Sequence, residues 1–100
     1  MPQDRLDFPE FSQVAFDLWD EMAEWWDDKI GDGNEAQDEF IDPTTLRLLQ
    51  PEPGHTILDI ACGSGRMARH LADAGAKVIA FDQTVNFLKR AESKSAGYGD

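Results

Sequence analysis

The chain is poor in cysteine and in basic residues. Cys62 is the single cysteine among 100 residues. That excludes an intramolecular disulfide and the usual zinc-finger ligand sets, and it fits a reducing, cytoplasmic setting. Nine Lys and Arg stand against 20 Asp and Glu, for a net charge of -11. No apolar run approaches the roughly 20 residues that a membrane span needs, so no membrane partner is expected. The opening Met1-Pro2-Gln3-Asp4-Arg5 lacks a basic stretch followed by an apolar one, and no secretory signal is read there. Internal repeats and low-complexity tracts are absent as well. What is present, 41% hydrophobic and 29% charged residues, describes a globular chain of at most one small domain.

The charge is unevenly placed. Residues 1–55 carry 15 acids and 3 bases, whereas residues 56–100 carry 5 acids and 6 bases. The acidic half repels phosphate backbones, so nucleic-acid binding through it is disfavoured. The simplest role for these acids is to keep helices soluble.

The pattern along the chain divides in the same place. Residues 1–10 read as an irregular leader, with Pro9 suited to open the next helix. From Phe11 to Ile30 the spacing is helical. Phe11, Val14, Leu18, Met22 and Trp25 alternate with Ala15, Trp19, Ala23, Trp26 and Ile30 in a broad apolar stripe, and Gly31 is read as the stop. A short helix is expected over 35–41. Another is expected over 44–49, with Asp42 as cap and Pro43 at its first position, ending at Pro51-Glu52-Pro53-Gly54.

After Gly54 the period changes. Thr56 to Ala61 reads as a buried strand, Cys62-Gly63-Ser64-Gly65 as a turn, and Arg66 to Ala74 as a helix closed by Gly75. Lys77 to Asp82 reads as a second buried strand. Thr84 is placed to cap a helix from Val85 to about Lys94. The fold class is α/β: N-terminal helices over 1–54, then over 55–100 the first β-α-β-α of a Rossmann-like doubly wound parallel sheet. Such sheets normally hold about 5–6 strands, so an incomplete domain with an uncovered sheet edge prone to self-association is expected.

Asp59-Ile60-Ala61-Cys62-Gly63-Ser64-Gly65 and Asp82 carry the chemistry. A glycine turn between strand and helix brings backbone N–H groups close to a ligand. Gly63 and Gly65 tolerate angles forbidden to side chains, and Ala61 and Ser64 keep the approach open. Asp82 lies 19 residues beyond Gly63, at the tip of the second strand, where a carboxylate accepts hydrogen bonds from the two hydroxyls of a ribose. The ligand therefore contains a nucleoside. Gly63-x-Gly65-x-x-Ala68 also matches a dinucleotide fingerprint. Asp59 argues against that alternative, because a carboxylate two residues before the turn repels a pyrophosphate and attracts a cation.

Ile57-Leu58-Asp59-Ile60-Ala61-Cys62-Gly63-Ser64-Gly65 closely resembles the first motif of class I S-adenosylmethionine-dependent methyltransferases. Phe81-Asp82-Gln83-Thr84 resembles the acidic end of their second strand. Trp19-Asp20 through Trp25-Trp26-Asp27, with Asp42-Pro43, is similar to the lead-in of the ubiquinone-biosynthesis-like small-molecule branch. The resemblance spans about residues 16–95, and one departure is Ala61, where many members have glycine. It implies that S-adenosylmethionine is the cofactor and that the acceptor is a small molecule. The backbone of Ala61, Cys62, Gly63, Ser64 and Gly65 would line the methionine portion. Asp59 would hold its ammonium end, Asp82 the ribose hydroxyls, and Gln83 would lie along the adenine. Trp26 is a candidate lid, although a core position suits it as well, and Trp19 and Trp25 are assigned to packing. No catalytic base and no metal ligand is named. Cys62 reads as a turn residue, His70 as structural, His55 as lying on the wrong edge of the sheet, and Arg69 with Asp73 as a surface pair. Two other classes stay open: an NAD-dependent oxidoreductase fragment, and a truncated chain that keeps the motif without activity.

Overall fold

The computed structural model describes residues 8–99; the leader expected before Phe8, and Asp100, lie outside the described residues. Pro9 opens the first helix, α1 (Pro9–Trp26), at the position where its missing N–H is harmless. The helix does not run on to Gly31 in one form. After Trp26 it widens into a π-turn, Asp27–Gly31. A second π-turn, Gln37–Ile41, leads directly into α2 (Asp42–Leu49). Wide turns of this kind splay side chains out of the regular helical register and are common where a site is built.

The expected apolar stripe of α1 divides along its length. Ala23 is fully buried, and Trp19 packs on Phe87 with ring centroids 6.1 Å apart. Phe11, Val14, Leu18, Met22 and Trp25 are exposed. Packing was the expected role of Trp25, and the structure corrects it: the indole is 55% exposed, because its side of the helix points away from the rest of the chain.

The second half is a two-stranded parallel sheet with its crossover helix. β1 (Thr56–Ile60) and β2 (Lys77–Phe81) pair in register, Thr56 opposite Lys77 through Ile60 opposite Phe81. Between them runs α3 (Arg66–Asp73), and after them α4 (Val85–Lys94) and a 3-10 turn, Ala96–Tyr98. This is the N-helical, Rossmann-like α/β arrangement expected from the sequence. α3 covers one face of the sheet and α4 packs against α1. The buried apolar residues Ala23, Leu71, Ala76 and Phe87 form the small core.

The strands are less buried than expected. Leu58 and Ile60 are 59% and 69% exposed, and Ile79 and Phe81 are also exposed. Side chains alternate across a strand, so these four form the sheet face opposite α3. A parallel sheet needs helices on both faces, and among the described residues only one face has them.

Two caps also differ from expectation. Asp42 makes no side-chain cap. Its carboxylate instead meets Arg66 at the start of α3, and His70 Nε2 lies 3.5 Å away. The Thr84 hydroxyl makes no cap bond either; the first-turn N–H of Asn86 is met from α1 by Asp20 Oδ1 at 3.3 Å, while Asp82 accepts the Thr84 N–H at 2.8 Å just before the helix.

Candidate functional site

The site is built at the carboxyl edge of the sheet by a sharp reversal of the backbone. β1 ends at Ile60, and Ala61, Gly63 and Gly65 all take left-handed angles, φ 62°, 57° and 86°. Ala61 pays a steric penalty there, since its Cβ crowds the following carbonyl. The turn is tied down on both sides. Cys62 N–H donates to the Phe81 carbonyl at 3.0 Å, extending the ladder past the strand end, and Gly65 N–H returns to the Cys62 carbonyl at 3.0 Å. Gly65 then caps α3.

The two glycines do different work. A Cβ at Gly63 would meet nothing within 4 Å, so this backbone faces open space. A Cβ at Gly65 would come within 3.0 Å of Arg69 Nη1 and 3.3 Å of the Ala91 methyl, so a side chain there would crowd the contact with α4 as well as take a left-handed angle. Arg69 does not form the surface pair expected with Asp73. Its Nη1 donates to the Ser64 carbonyl at 2.7 Å and to Ser95 Oγ at 3.2 Å, bracing the turn from behind.

Asp82 joins the two strand ends. Its Oδ2 accepts the Gly63 N–H at 2.9 Å and its Oδ1 accepts the Thr84 N–H at 2.8 Å. One carboxylate thus fixes both βα turns, and each oxygen keeps a second lone pair for a ligand.

A cavity of about 700 Å³ opens above these turns. Its floor is Asp59, Ile60 and the backbone from Ala61 to Ser64, and one wall is Phe81 to Thr84. Trp19, Trp26, Ile30, Gly31 and Gln37 form the opposite wall, with Arg66, Met67 and Phe87 between. Asp59, Ala61, Cys62, Gly63, Ser64, Asp82, Gln83 and Trp26 are therefore brought to one space. Gly65 lies beneath it, in the packing. Trp19, assigned to packing from the sequence, reaches the cavity and stands edge-on to Trp26, centroids 5.3 Å apart. Its spacing of seven residues from Trp26 was the available signal, since that separation returns to the same helix face. Gln37 and Arg66 had no such signal, because their placement depends on the π-turn and on the Asp42 contact.

Two acids, Asp59 and Asp82, dominate the electrostatics of the cavity floor. Burial pushes the Asp59 carboxyl above its ordinary value, and the neighbouring Asp82 pushes it further. Asp59 Oδ2 is buried and has no hydrogen-bond partner. The same burial and the same two acids push the Cys62 thiol up to about 11, so this thiol is neutral at ordinary pH and no nucleophile. An orphaned carboxylate oxygen, a bare glycine backbone and an acid at the second strand tip suit a ligand with a cationic end and a ribose. Together they stand at the carboxyl edge of an incomplete Rossmann-like domain.

Comparison with known proteins narrows this class. Residues 57–99 match the family described as a methyltransferase domain. Over 96 residues, 96% of its length, the chain is 31% identical to the ubiquinone biosynthesis O-methyltransferase of Chromobacterium violaceum, covering 38% of that protein. It is 44% identical over 62 residues to the malonyl-[acyl-carrier protein] O-methyltransferase of Pseudescherichia vulneris, covering 62% of the chain and 24% of the relative. It is also 32% identical over 66 residues to the 23S rRNA (uracil(1939)-C(5))-methyltransferase of Acidithiobacillus ferrooxidans, covering 66% of the chain and 15% of the relative. The chain belongs to the class I S-adenosylmethionine-dependent methyltransferases. It spans less than half the length of the curated relatives named here.

Proposed function

We propose that the chain is the cofactor-binding part of a cytoplasmic enzyme that transfers a methyl group from S-adenosylmethionine to a small-molecule acceptor. The observation that carries this reading is the buried, unpartnered Asp59 oxygen on the cavity floor. A pyrophosphate-containing cofactor would be repelled there by Asp59, whereas a ligand with an ammonium group supplies the missing donors. When bound, S-adenosylmethionine supplies an electrophilic methyl group, and S-adenosylhomocysteine is left when that group is transferred.

The chain's own residues do the holding. Asp59 accepts from the ammonium end, and the second lone pairs on the Asp82 oxygens take the ribose hydroxyls. Gln83 flanks the base. Trp26, with Trp19 beside it, closes the wall away from the sheet; an indole face attracts a cation and excludes water. Placement and desolvation of this kind are what methyl transfer requires of the protein. A small acceptor fits the charge better than RNA, because the lead-in helices that wall the cavity belong to the acidic half, with 15 acids against 3 bases. The uncovered sheet face is the surface through which copies of the chain would associate.

Equilibrium binding tests the reading. The protein should take up S-adenosylhomocysteine and not NADH, and Asp82→Ala should weaken that uptake. Preference for NADH would reverse the assignment, and unchanged affinity in Asp82→Ala would remove the ribose contact.

A further inference from the structure

Asp27 is the one fully buried carboxylate side chain among the described residues that the proposed chemistry leaves unused. It sits in the first position of the π-turn, directly after Trp26. Four groups converge on it. Lys94 Nζ lies 2.9 Å from Oδ1 and Arg90 Nε lies 3.8 Å from Oδ2, while the Ser64 hydroxyl of the glycine turn stands beside the carboxylate, whose Oδ2 has no hydrogen-bond partner. The fourth is Gly31. A side chain there would collide with the Asp27 carboxylate and reach within 3.2 Å of Ser64 Oγ, so the space that lets Asp27 reach the turn exists because position 31 is glycine. The same two bases also hold the flanks of the segment. Arg90 meets Glu24 and Asp28 at 3.2 Å each, and Lys94 meets Asp32 at 3.0 Å.

We propose that Asp27 is a positioning residue, whose buried carboxylate sets the tryptophan wall of the cavity in register with the glycine turn by bonding Lys94 on one side and packing against Ser64 of the turn on the other. Surface ion pairs alone would not do this. Exposed pairs such as Arg90–Glu24 contribute little and leave the helix free to slide, whereas a buried carboxylate tolerates only the position in which its partners are met. Because Trp26 is covalently next to Asp27 and Trp19 packs edge-on to Trp26, both indoles move with it. The inference rests on the reading of the cavity as the S-adenosylmethionine site.

The test is a double-mutant cycle on S-adenosylhomocysteine affinity, using Asp27→Asn and Lys94→Met in a Trp25→Phe background. Lys94 does not line the cavity, and Asp32→Asn, which removes its second contact, serves as the control that assigns its effect to Asp27. Each single substitution of the cycle should weaken binding about tenfold, the scale of one charge-assisted bond. The double variant should be no worse than the weaker single, because both remove the same link. Ligand addition should shift indole emission in the parent, where the wall is held, and not in Asp27→Asn. Circular dichroism reports folding; should Asp27→Asn unfold, Lys94→Met alone decides. A parent that binds while the folded variants match its affinity, or a double loss equal to the product of the singles, overturns the positioning role. A parent that fails to bind S-adenosylhomocysteine overturns the cofactor reading, and the positioning role with it.

Discussion

Asp59→Asn should move stability and affinity in opposite directions. In the ligand-free protein Asp59 is a liability, since burial and Asp82 both disfavour its charge and Oδ2 has no donor. An unsatisfied buried polar atom costs about 1–3 kcal/mol. The amide keeps the shape and removes the charge, so it should recover about 1 kcal/mol, equivalent to a Tm increase of about 4–8 °C in a chain of this size. The pH dependence follows from the raised pKa. A carboxyl whose folded value lies above its unfolded value favours the folded state at low pH, and that contribution is lost as pH rises through the folded value. The gain of Asp59→Asn should therefore be present at pH 7 and vanish below about pH 4, where the carboxyl is protonated in both states. Binding should respond the other way. Loss of a charge-assisted hydrogen bond to the ammonium group removes about 1.5–3 kcal/mol, or about 10- to 150-fold in Kd for S-adenosylhomocysteine. 5′-Methylthioadenosine, which lacks the amino-acid end, should bind parent and variant alike. Thermal denaturation and titration calorimetry measure both arms. A lower Tm, unchanged affinity for S-adenosylhomocysteine, or a parallel loss for methylthioadenosine would each refute the assignment.

Three further outcomes follow from the same geometry. Ala61→Gly relieves a left-handed alanine at φ 62°; the strain of about 1–2 kcal/mol outweighs the added freedom of the unfolded chain, so a net gain of about 0.5–1 kcal/mol is expected in thermal denaturation. With its thiol raised to about 11, Cys62 should react with iodoacetamide at pH 8 about two orders of magnitude more slowly than a free cysteine; labelling at the free-thiol rate would contradict the burial of this site. The face formed by Leu58, Ile60, Ile79 and Phe81 is open, so light scattering should show self-association that rises with concentration and is reduced by Ile60→Glu or Phe81→Glu; a strict monomer in the parent at all concentrations would exclude that route.

Much of the second half was legible because its signals are local. The run Thr56 to Ile60, the glycines at 63 and 65, and the 3.6-residue spacing of Arg66 to Asp73 each impose backbone geometry within a few residues. Position 82 was legible for the same reason, since a βαβ unit of this length places it beside the turn. Its structural duty was not. That Asp82 accepts both Gly63 and Thr84 N–H groups depends on the two strand ends lying side by side.

The acidic lead-in shows where local reasoning stops. Sequence periodicity located α1 and read the acids of this half as solubilising, yet Asp27 is fully buried. The helix widens at that point, and the widening carries Asp27 inward to Lys94, 67 residues away. Trp19 and Trp25 differ by less than two turns of one helix, and only the docking of α1 on α4 decides that the first reaches the cavity while the second faces solvent. The sequence by itself determined the βαβ unit, the glycine turn and the acids that stand beside it, because backbone freedom and the sign of a charge are properties of single residues. Which side chains wall the cavity, which acid is buried and which sheet face is left open were decided by the tertiary structure, because those depend on helices meeting across dozens of residues.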